Sequence, residues 1–367
     1  MSSQPGNMGV AEGMVLVYLT SFTSVFLSIW TVFDEIAASA AWLAPLVGGS
    51  IAISLFLVML YIMERIPGDL YQITETLLGT WPARMLTLLL ILSAVTEAVL
   101  LLRQFSENTL LTALPDLDMS LATGWYMLLA VILMQLGITA IARAAYVVLP
   151  FGLIGAMLIL MGLYEKFDIY NLAPWLGNGL ASVAYTGLLA SGSFAGIFII
   201  PVFAPSFQNI RTMRAAGMTG ILLSAGLRAI TFFVYTGIFS VEVGREKILP
   251  FFEMARLIHL SRFIQRVESF FIILWVIFGI LTIAINIYVA AYLLARLLAL
   301  PTHRPPILAL ALLASQLAML PPNIITAITI HAKVSTVFFS SGLVMIPSIL
   351  FIALLAKGKK GAKSHAL

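Results

Sequence analysis

Cysteine is absent from the 367 residues. The chain therefore forms no disulfide, no thiolate metal site and no thiol nucleophile, and its redox compartment cannot be read. Charge is scarce as well: 20 Lys+Arg and 16 Asp+Glu make up 10% of the residues, where soluble domains carry about 25%. That scarcity excludes an ordinary cytosolic enzyme, a disordered hub and a nucleic-acid binder. Residues 1–13 lack the basic start of a signal peptide and run into a full-length apolar stretch. Catalytic signatures are missing: there is no H-E-x-x-H, no P-loop and no G-x-S-x-G elbow. The four histidines (His259, His303, His331 and His365) fall in the expected loops and tail. The sequence predicts no catalysis, no cofactor and no metal.

What is abundant is apolar surface. Hydrophobic residues make up 61% of the chain, and the mean hydropathy is +1.05. Such a chain has lipid as its solvent, and a helix needs about 20 apolar residues to cross it. Ten stretches qualify: 14–33, 42–63, 84–102, 122–141, 146–164, 180–203, 215–239, 269–297, 306–321 and 335–356. They are continuously apolar rather than alternating, which predicts a helical bundle and not a barrel. With the N-terminus inside, the inner segments hold eleven basic and four acidic residues, and the outer ones eight and eleven. Five of those eight outer basic residues sit in one loop, 240–268. The positive-inside rule then predicts cytoplasmic N- and C-termini. The expected organisation is a short segment 1–13, a membrane domain 14–356 and a basic tail 357–367. The tail reads as a topology anchor that attracts anionic lipid. The halves 14–163 and 180–356 are of similar length, compatible with a five-plus-five repeat.

Two connections carry structure of their own. Pro67-Gly68-Asp69 predicts a short helix capped by Asp69, stopped by Gly79 and buried along Leu70, Ile73 and Leu77. Over 249–267, Arg256, His259, Arg262 and Arg266 share one helical face, with Met254, Leu257, Ile258, Ile264 and Val267 on another. That pattern predicts an amphipathic helix on the outer surface, either a lid over the bundle or a lipid or partner contact. The sixth span reads Ser191-Gly192-Ser193-Phe194-Ala195-Gly196, followed by Pro201 and Pro205. One reading is a broken helix whose freed backbone groups hold a small polar ligand. The other is close packing through Gly192 and Gly196, four residues apart. The first span, across the fold in a repeat of this kind, holds Thr20, Ser21, Thr23, Ser24 and Ser28 but no Gly or Pro between Met14 and Pro45. Its hydroxyls can bridge a distortion or simply bond their own helix.

Charges at membrane depth mark function by default. Glu97 and Arg228 are the two. Glu97 can bind a ligand's ammonium group, relay a proton, or pair with Arg228 as structural glue. Asn286, Tyr288, Gln135 and Gln316 read more simply as interhelical hydrogen bonding. The candidate ligand-binding set is Ser21, Thr23, Ser24, Glu97, Ser191, Gly192, Ser193, Gly196 and Asn286.

Several stretches resemble a known family. They are Arg65-Ile66-Pro67-Gly68 through Gly79, Leu102-Arg103-Gln104-Phe105-Ser106-Glu107, Asn171-Leu172-Ala173-Pro174 with Gly179, and PFFEMARLIHLSRFIQRVESFFIILW over 250–275. Tyr288 to Leu294 and Leu320-Pro321-Pro322-Asn323 complete the set. Along residues 14–356 the chain resembles the B subunit of spore germinant receptors, the GerAB-type germination permeases of the amino acid–polyamine–organocation superfamily. The resemblance implies a ten-span inverted repeat like that of LeuT, in the inner membrane of a dormant spore. It implies partners, an A-type membrane subunit and a C-type lipoprotein. It also implies a small nutrient, commonly an amino acid, sensed at a midplane pocket between spans one, three, six and eight. Two departures stand out: Trp30 occupies the family's first-span Pro position, and no carboxylate follows Phe194. Trp30 can fill the pocket, admit an apolar ligand, or mark a vestigial site. A secondary amino acid permease coupled to H⁺ or Na⁺, and a non-binding scaffold subunit, are the rival readings.

Overall fold

A computed structural model describes residues 8–23, 31–258 and 267–364. The first helix, α1 (Val10–Phe22), is held at its start by Met8, whose N–H donates to Ser206 O at 2.9 Å. Glu12 accepts from the Gly9 N–H at 3.1 Å and so satisfies an orphan donor at the helix N-terminus. After residues outside the description come α2 (Thr31–Ala37), a 3₁₀ turn over Ala38–Leu43, and α3 (Ala44–Arg65), with Pro45 in its first turn.

The expected short helix is present as α4 (Leu70–Leu78). Asp69 accepts from Gln72 N at 2.9 Å, and the Gln72 side chain accepts from Asp69 N at 3.0 Å. This reciprocal cap, with Gly79 at φ +96° behind it, explains why nine residues form a stable helix here. Leu70, Ile73 and Leu77 are buried.

Then follow α5 (Thr80–Thr112), α6 (Met119–Leu136) and α7 (Ile138–Gly162). The α8 helix (Leu180–Ser191) tightens into a 3₁₀ helix over Gly192–Phe198 before a last turn, α9 (Ile199–Val202). Next come α10 (Ile210–Arg245), with a break at Ser240, α11 (Pro250–Arg256) and α12 (Val267–Leu297). The chain ends with α13 (Arg304–Ala318), α14 (Ile324–Lys333), a π-helical segment Val334–Phe339 and α15 (Ser340–Ser364).

Among the described residues, eight helices are long and apolar enough to cross a membrane, where the sequence suggested ten. They are Val32–Arg65, Thr80–Thr112, Met119–Leu136, Ile138–Gly162, Leu180–Val202, Ile210–Arg245, Phe271–Leu297 and Ile324–Lys357. The other two expected spans correspond to shorter apolar helices, Val10–Phe22 and Arg304–Ala318. At 13 residues, α1 spans only about 20 Å; its expected range continues through residues 24–30, outside the described residues, and 31–33 belong to α2. The chain is a multi-pass membrane protein, all helical among the described residues.

Three differences from the expected bounds stand out. The last span starts at Ile324, not 335, because Asn323 accepts from Thr326 N at 2.9 Å and starts the helix eleven residues earlier than its apolar run. Its helix also continues through Ser364, past the expected end at 356. The outer amphipathic helix over 249–267 is α-helical only to Arg256, and Val267 already belongs to α12. Residues 259–266, with His259, Arg262, Ile264 and Arg266, lie outside the described residues. The described part seats Phe251 and Met254 in the core, with Phe251 stacked on Phe271 at 5.0 Å, and leaves Arg256 exposed.

Inside the bundle α1 packs on α10, α5 on α12, and α3 on α8 and α10. Where α3 meets α8, a Cβ at Gly48 would stand 2.9 Å from Gly187 O, so two backbones touch there.

Candidate ligand cavity

A cavity of about 470 Å³ lies between α5, the 3₁₀ segment after α8, α12 and the last span. Two irregular segments create it by facing each other. Gly192, where α8 tightens, lies against the π-helical turn: a Cβ there would sit 2.1 Å from Ser335 O and 2.7 Å from Ser340 N. Only a residue without a side chain fits. One turn on, a Cβ at Gly196 would sit 2.0 Å from Thr20 Oγ1 and 2.9 Å from Thr20 Cβ. Thr20 cannot easily turn away, because its hydroxyl already donates to Leu16 O at 2.8 Å. The two glycines thus do pack closely, as one sequence reading held, and they do so where the helix changes pitch rather than where it breaks. The segment does not unwind into an extended loop; it tightens into a 3₁₀ helix, a form whose longer runs mark hinges.

One edge of the cavity is a buried polar chain. His331 Nε2 lies 3.0 Å from Glu97 Oε2, and His331 Nδ1 lies 2.8 Å from Gln104 Nε2. The Gln104 amide donates to Nδ1, so Nε2 holds the imidazole hydrogen and donates it to Glu97. His331 and Gln104 are almost wholly buried. Two turns from Glu97, Arg103 and Glu107 pair at 2.8 Å, and Glu107 Oε1 accepts from Ile324 N at 3.0 Å. A carboxylate at that helix N-terminus is favoured by the helix dipole. The Arg103, Gln104 and Glu107 positions of the Leu102–Glu107 stretch therefore serve one purpose, fastening α5 to the last span. Glu97 and His331 line the cavity beside Asn286, Ser335 and Ser93.

The pairing of Glu97 with Arg228 does not occur. Glu97 faces α14, whereas Arg228 on α10 donates from Nη1 to Ser21 O at 3.0 Å and from Nη2 to Ser193 Oγ at 3.2 Å. Its guanidinium also stands 5.4 Å from the Phe194 ring.

The candidate residues divide by position. Glu97, Gly192, Ser193, Gly196 and Asn286 line the cavity. Ser21, Thr23 and Ser191 are buried nearby but are not among its lining residues. Thr23 bonds Thr282 on α12 at 2.8 Å, and Ser191 donates to Leu188 O at 2.6 Å. Ser24 and Trp30 lie outside the described residues. Asn286 Nδ2 donates to Thr282 O at 2.9 Å, which leaves its carbonyl oxygen available. Sequence reasoning missed Thr20, Ser93, Ser335 and above all His331, which it placed in a loop. The missed signal was Pro321-Pro322-Asn323, a helix start.

At the α4 end of α12 a second polar cluster closes the bundle. Asp69 pairs with Arg296 at 2.7 Å, and Tyr288 bonds His303 Nε2 at 2.9 Å. Burial raises the Asp69 carboxyl above its usual range, against the lowering effect of the Gln72 N–H and Arg296. Burial, with neighbouring Arg304, lowers the His303 imidazole. Among the described residues, no group of three His, Asp or Glu side chains is placed to hold a metal ion.

Spore germination protein KB of Bacillus subtilis (strain 168) is 25% identical over 261 residues, covering 69% of each chain. Spore germination protein A2 of the same organism is 31% identical over 150 residues, 40% of each chain. Among solved structures, the nucleobase-cation-symport-1 family transporter MHP1 aligns with a TM-score of 0.71 at 11% identity, over 96% of this chain and 80% of that one. MhsT in complex with L-phenylalanine aligns with a TM-score of 0.64 at 14% identity, over 92% and 87%. These likenesses give the fold, that of LeuT-type transporters. Residues 9–327 match the spore permease family, described as spore germination protein, and the chain belongs to that family.

Proposed function

We propose that the chain is the ligand-sensing membrane subunit of a spore germinant receptor. A small nutrient, with an amino acid as the first class to test, occupies the cavity between α5, the Gly192–Phe198 segment, α12 and the last span. The observation that carries this reading is the pair of tight glycine contacts at Gly192 and Gly196, which ties the cavity wall to α1 and to the π-helical turn. A ligand that touches this wall favours one arrangement of α1 and α8 over another, and partner subunits respond to that shift. Under this reading Glu97, Ser193 and Asn286 contact the ligand, with Gly192 and Gly196 as backbone walls. Ser21, Thr23 and Ser191 support the wall from behind. The partners are an A-type membrane subunit and a C-type lipoprotein in the spore inner membrane. The two short apolar helices complete ten spans in a five-plus-five inverted repeat, with both termini cytoplasmic.

A ligand shifts such an equilibrium only by its differential affinity, and a change from 1:99 to 99:1 takes about 5.5 kcal/mol. The test is a melting-temperature screen of the purified chain against amino acids, nucleosides and sugars. At about 100 Kd a ligand adds roughly 2.7 kcal/mol. A shift for one class, lost in Gly196→Leu, supports the reading. Shifts for none, in the chain alone and in the assembled receptor, overturn it.

The second reading is a permease coupled to H⁺. The Glu97–His331 pair favours it, because a titratable pair on the cavity wall is a proton site by its chemistry. Uptake of a labelled amino acid by the chain alone in vesicles, dependent on Glu97, separates permease from sensor.

A further inference from the structure

Arg228 is the side chain that the cavity reading leaves unexplained. It sits in the middle of α10 and is 0% exposed. A guanidinium stays charged in proteins, and burying an isolated charge is costly unless it is paired. Yet no Asp or Glu lies within 4.0 Å of it among the described residues, and residues 24–30 contain neither. Its two hydrogen bonds go to neutral oxygens, Ser21 O and Ser193 Oγ. Among the described residues its Nε–H has no acceptor, and the buried Ser21 hydroxyl beside it has no partner.

The connection to the cavity runs through Ser193. Ser193 lines the cavity, and its Oγ accepts from Arg228 at 3.2 Å. A hydroxyl that accepts from a guanidinium keeps its own hydrogen free to donate, so Ser193 can donate to a ligand in the cavity it lines. This edge therefore presents a polarised O–H donor with a full positive charge behind it, in surroundings of low dielectric where such a charge reaches far. Glu97 stands at another edge of the same cavity and supplies the opposite sign.

We propose that the Ser193 edge is a monovalent-anion subsite, backed by Arg228, which takes either the carboxylate of an organic ligand or a chloride ion. The carboxylate source rests on the ligand-cavity reading given above; the chloride source does not.

The experiment measures melting of the purified full-length chain in micelles, in a sulfate background at matched ionic strength. The probes are chloride, isovalerate and its neutral isostere isovaleramide. Wild type, Arg228→Gln and Ser193→Ala are compared. Arg228→Gln removes the charge and also the guanidinium's hydrogen bonds to Ser21 and Ser193, so Ser193→Ala, which keeps the buried cation, is the second variant. The expected result is a saturable rise of several degrees with chloride or isovalerate, none with isovaleramide, and loss of the rise in both variants. Chloride alone identifies an inorganic ion as the occupant; isovalerate, displacing or replacing chloride, identifies a carboxylate. The proposal is overturned if neither anion shifts melting, if isovaleramide acts as well as isovalerate, or if both variants keep the full shift. If chloride acts while every nutrient in the broader screen fails, the anion subsite stands and the nutrient reading falls.

Discussion

Replacing Gly192 by alanine adds one methyl group where two backbones meet. The new Cβ would lie 2.1 Å from Ser335 O and 2.7 Å from Ser340 N. Ordinary van der Waals contact begins near 3.5 Å, so the last span must retreat by more than 1 Å. Nothing cheaper is available, because both obstructing atoms are main chain, one in the π-helical turn and one in the first residue of α15. Overpacking of this kind costs typically 1–3 kcal/mol. Gly226 supplies the control. It also lies inside a helix, α10, but a Cβ there meets nothing within 4 Å. Alanine at that position should be neutral or stabilise by about 0.5–1 kcal/mol through lost backbone freedom in the unfolded chain. The assay is the apparent melting temperature of both variants in one detergent, followed by ligand titration. Gly192→Ala should melt below wild type and Gly226→Ala at or above it. If the cost falls on the ligand-competent arrangement, affinity drops by roughly 5–150-fold. Equal melting and equal affinity for Gly192→Ala and wild type would refute the close approach of these two segments.

The remaining predictions use the same molecule. Gly196→Leu should push α1 away through Thr20 and abolish ligand response while the chain still inserts into the membrane, as membrane fractionation and melting together will show. His331→Leu removes the partner of the Glu97 carboxylate and of one Gln104 N–H, while the Gln104 amide keeps its bond to Leu100 O at 3.1 Å, and each unsatisfied buried group costs about 1–3 kcal/mol. The double variant His331→Leu with Glu97→Leu should cost less than the two single changes added together, as a double-mutant cycle of melting temperatures measures. Asp69→Ala removes both the α4 cap and the partner of Arg296, for about 0.5–2 kcal/mol from the cap alone, and proteolysis of the α3–α4 connection should quicken. His303 has its folded-state pKa below the ordinary 6.5, so its contribution is complete above pH 6.5 and is lost as the pH falls toward the lower folded value. Melting temperature should drop across that window, and His303→Gln should flatten the slope.

Local signals were the legible part of this fold. The α4 helix could be placed because its cap, stripe and stop lie within eleven consecutive residues, Asp69 to Gly79. The change of pitch in the sixth span falls where glycines cluster in the sequence, but it is a 3₁₀ segment within a continuous helix and not the expected break. Non-local facts were hidden. Nothing near Phe22 announces that α1 ends there; no Gly or Pro stands within reach, and Thr20 owes its position to Gly196 on another helix. Glu97 and Arg228 looked like partners because they are opposite charges at membrane depth. Helical register instead turns Glu97 toward α14 and Arg228 toward α1 and Ser193. His331 was assigned to a loop because the apolar run of the last span starts after Lys333. The Asn323 cap starts the helix earlier and carries His331 to membrane depth, where Gln104 and Glu97 hold it.

The most direct measurement of ligand occupancy uses the missing cysteine. Ser93 lines the cavity and the chain has no thiol of its own, so Ser93→Cys reports from that wall alone. The rate of its modification by a maleimide, in the purified receptor with and without each nutrient, is the quantity to determine. The account predicts that one nutrient class slows labelling saturably, and that Gly196→Leu on the same background removes the protection. Labelling at an unchanged rate with every nutrient, in a receptor that still responds to one of them, would contradict a ligand site in this cavity.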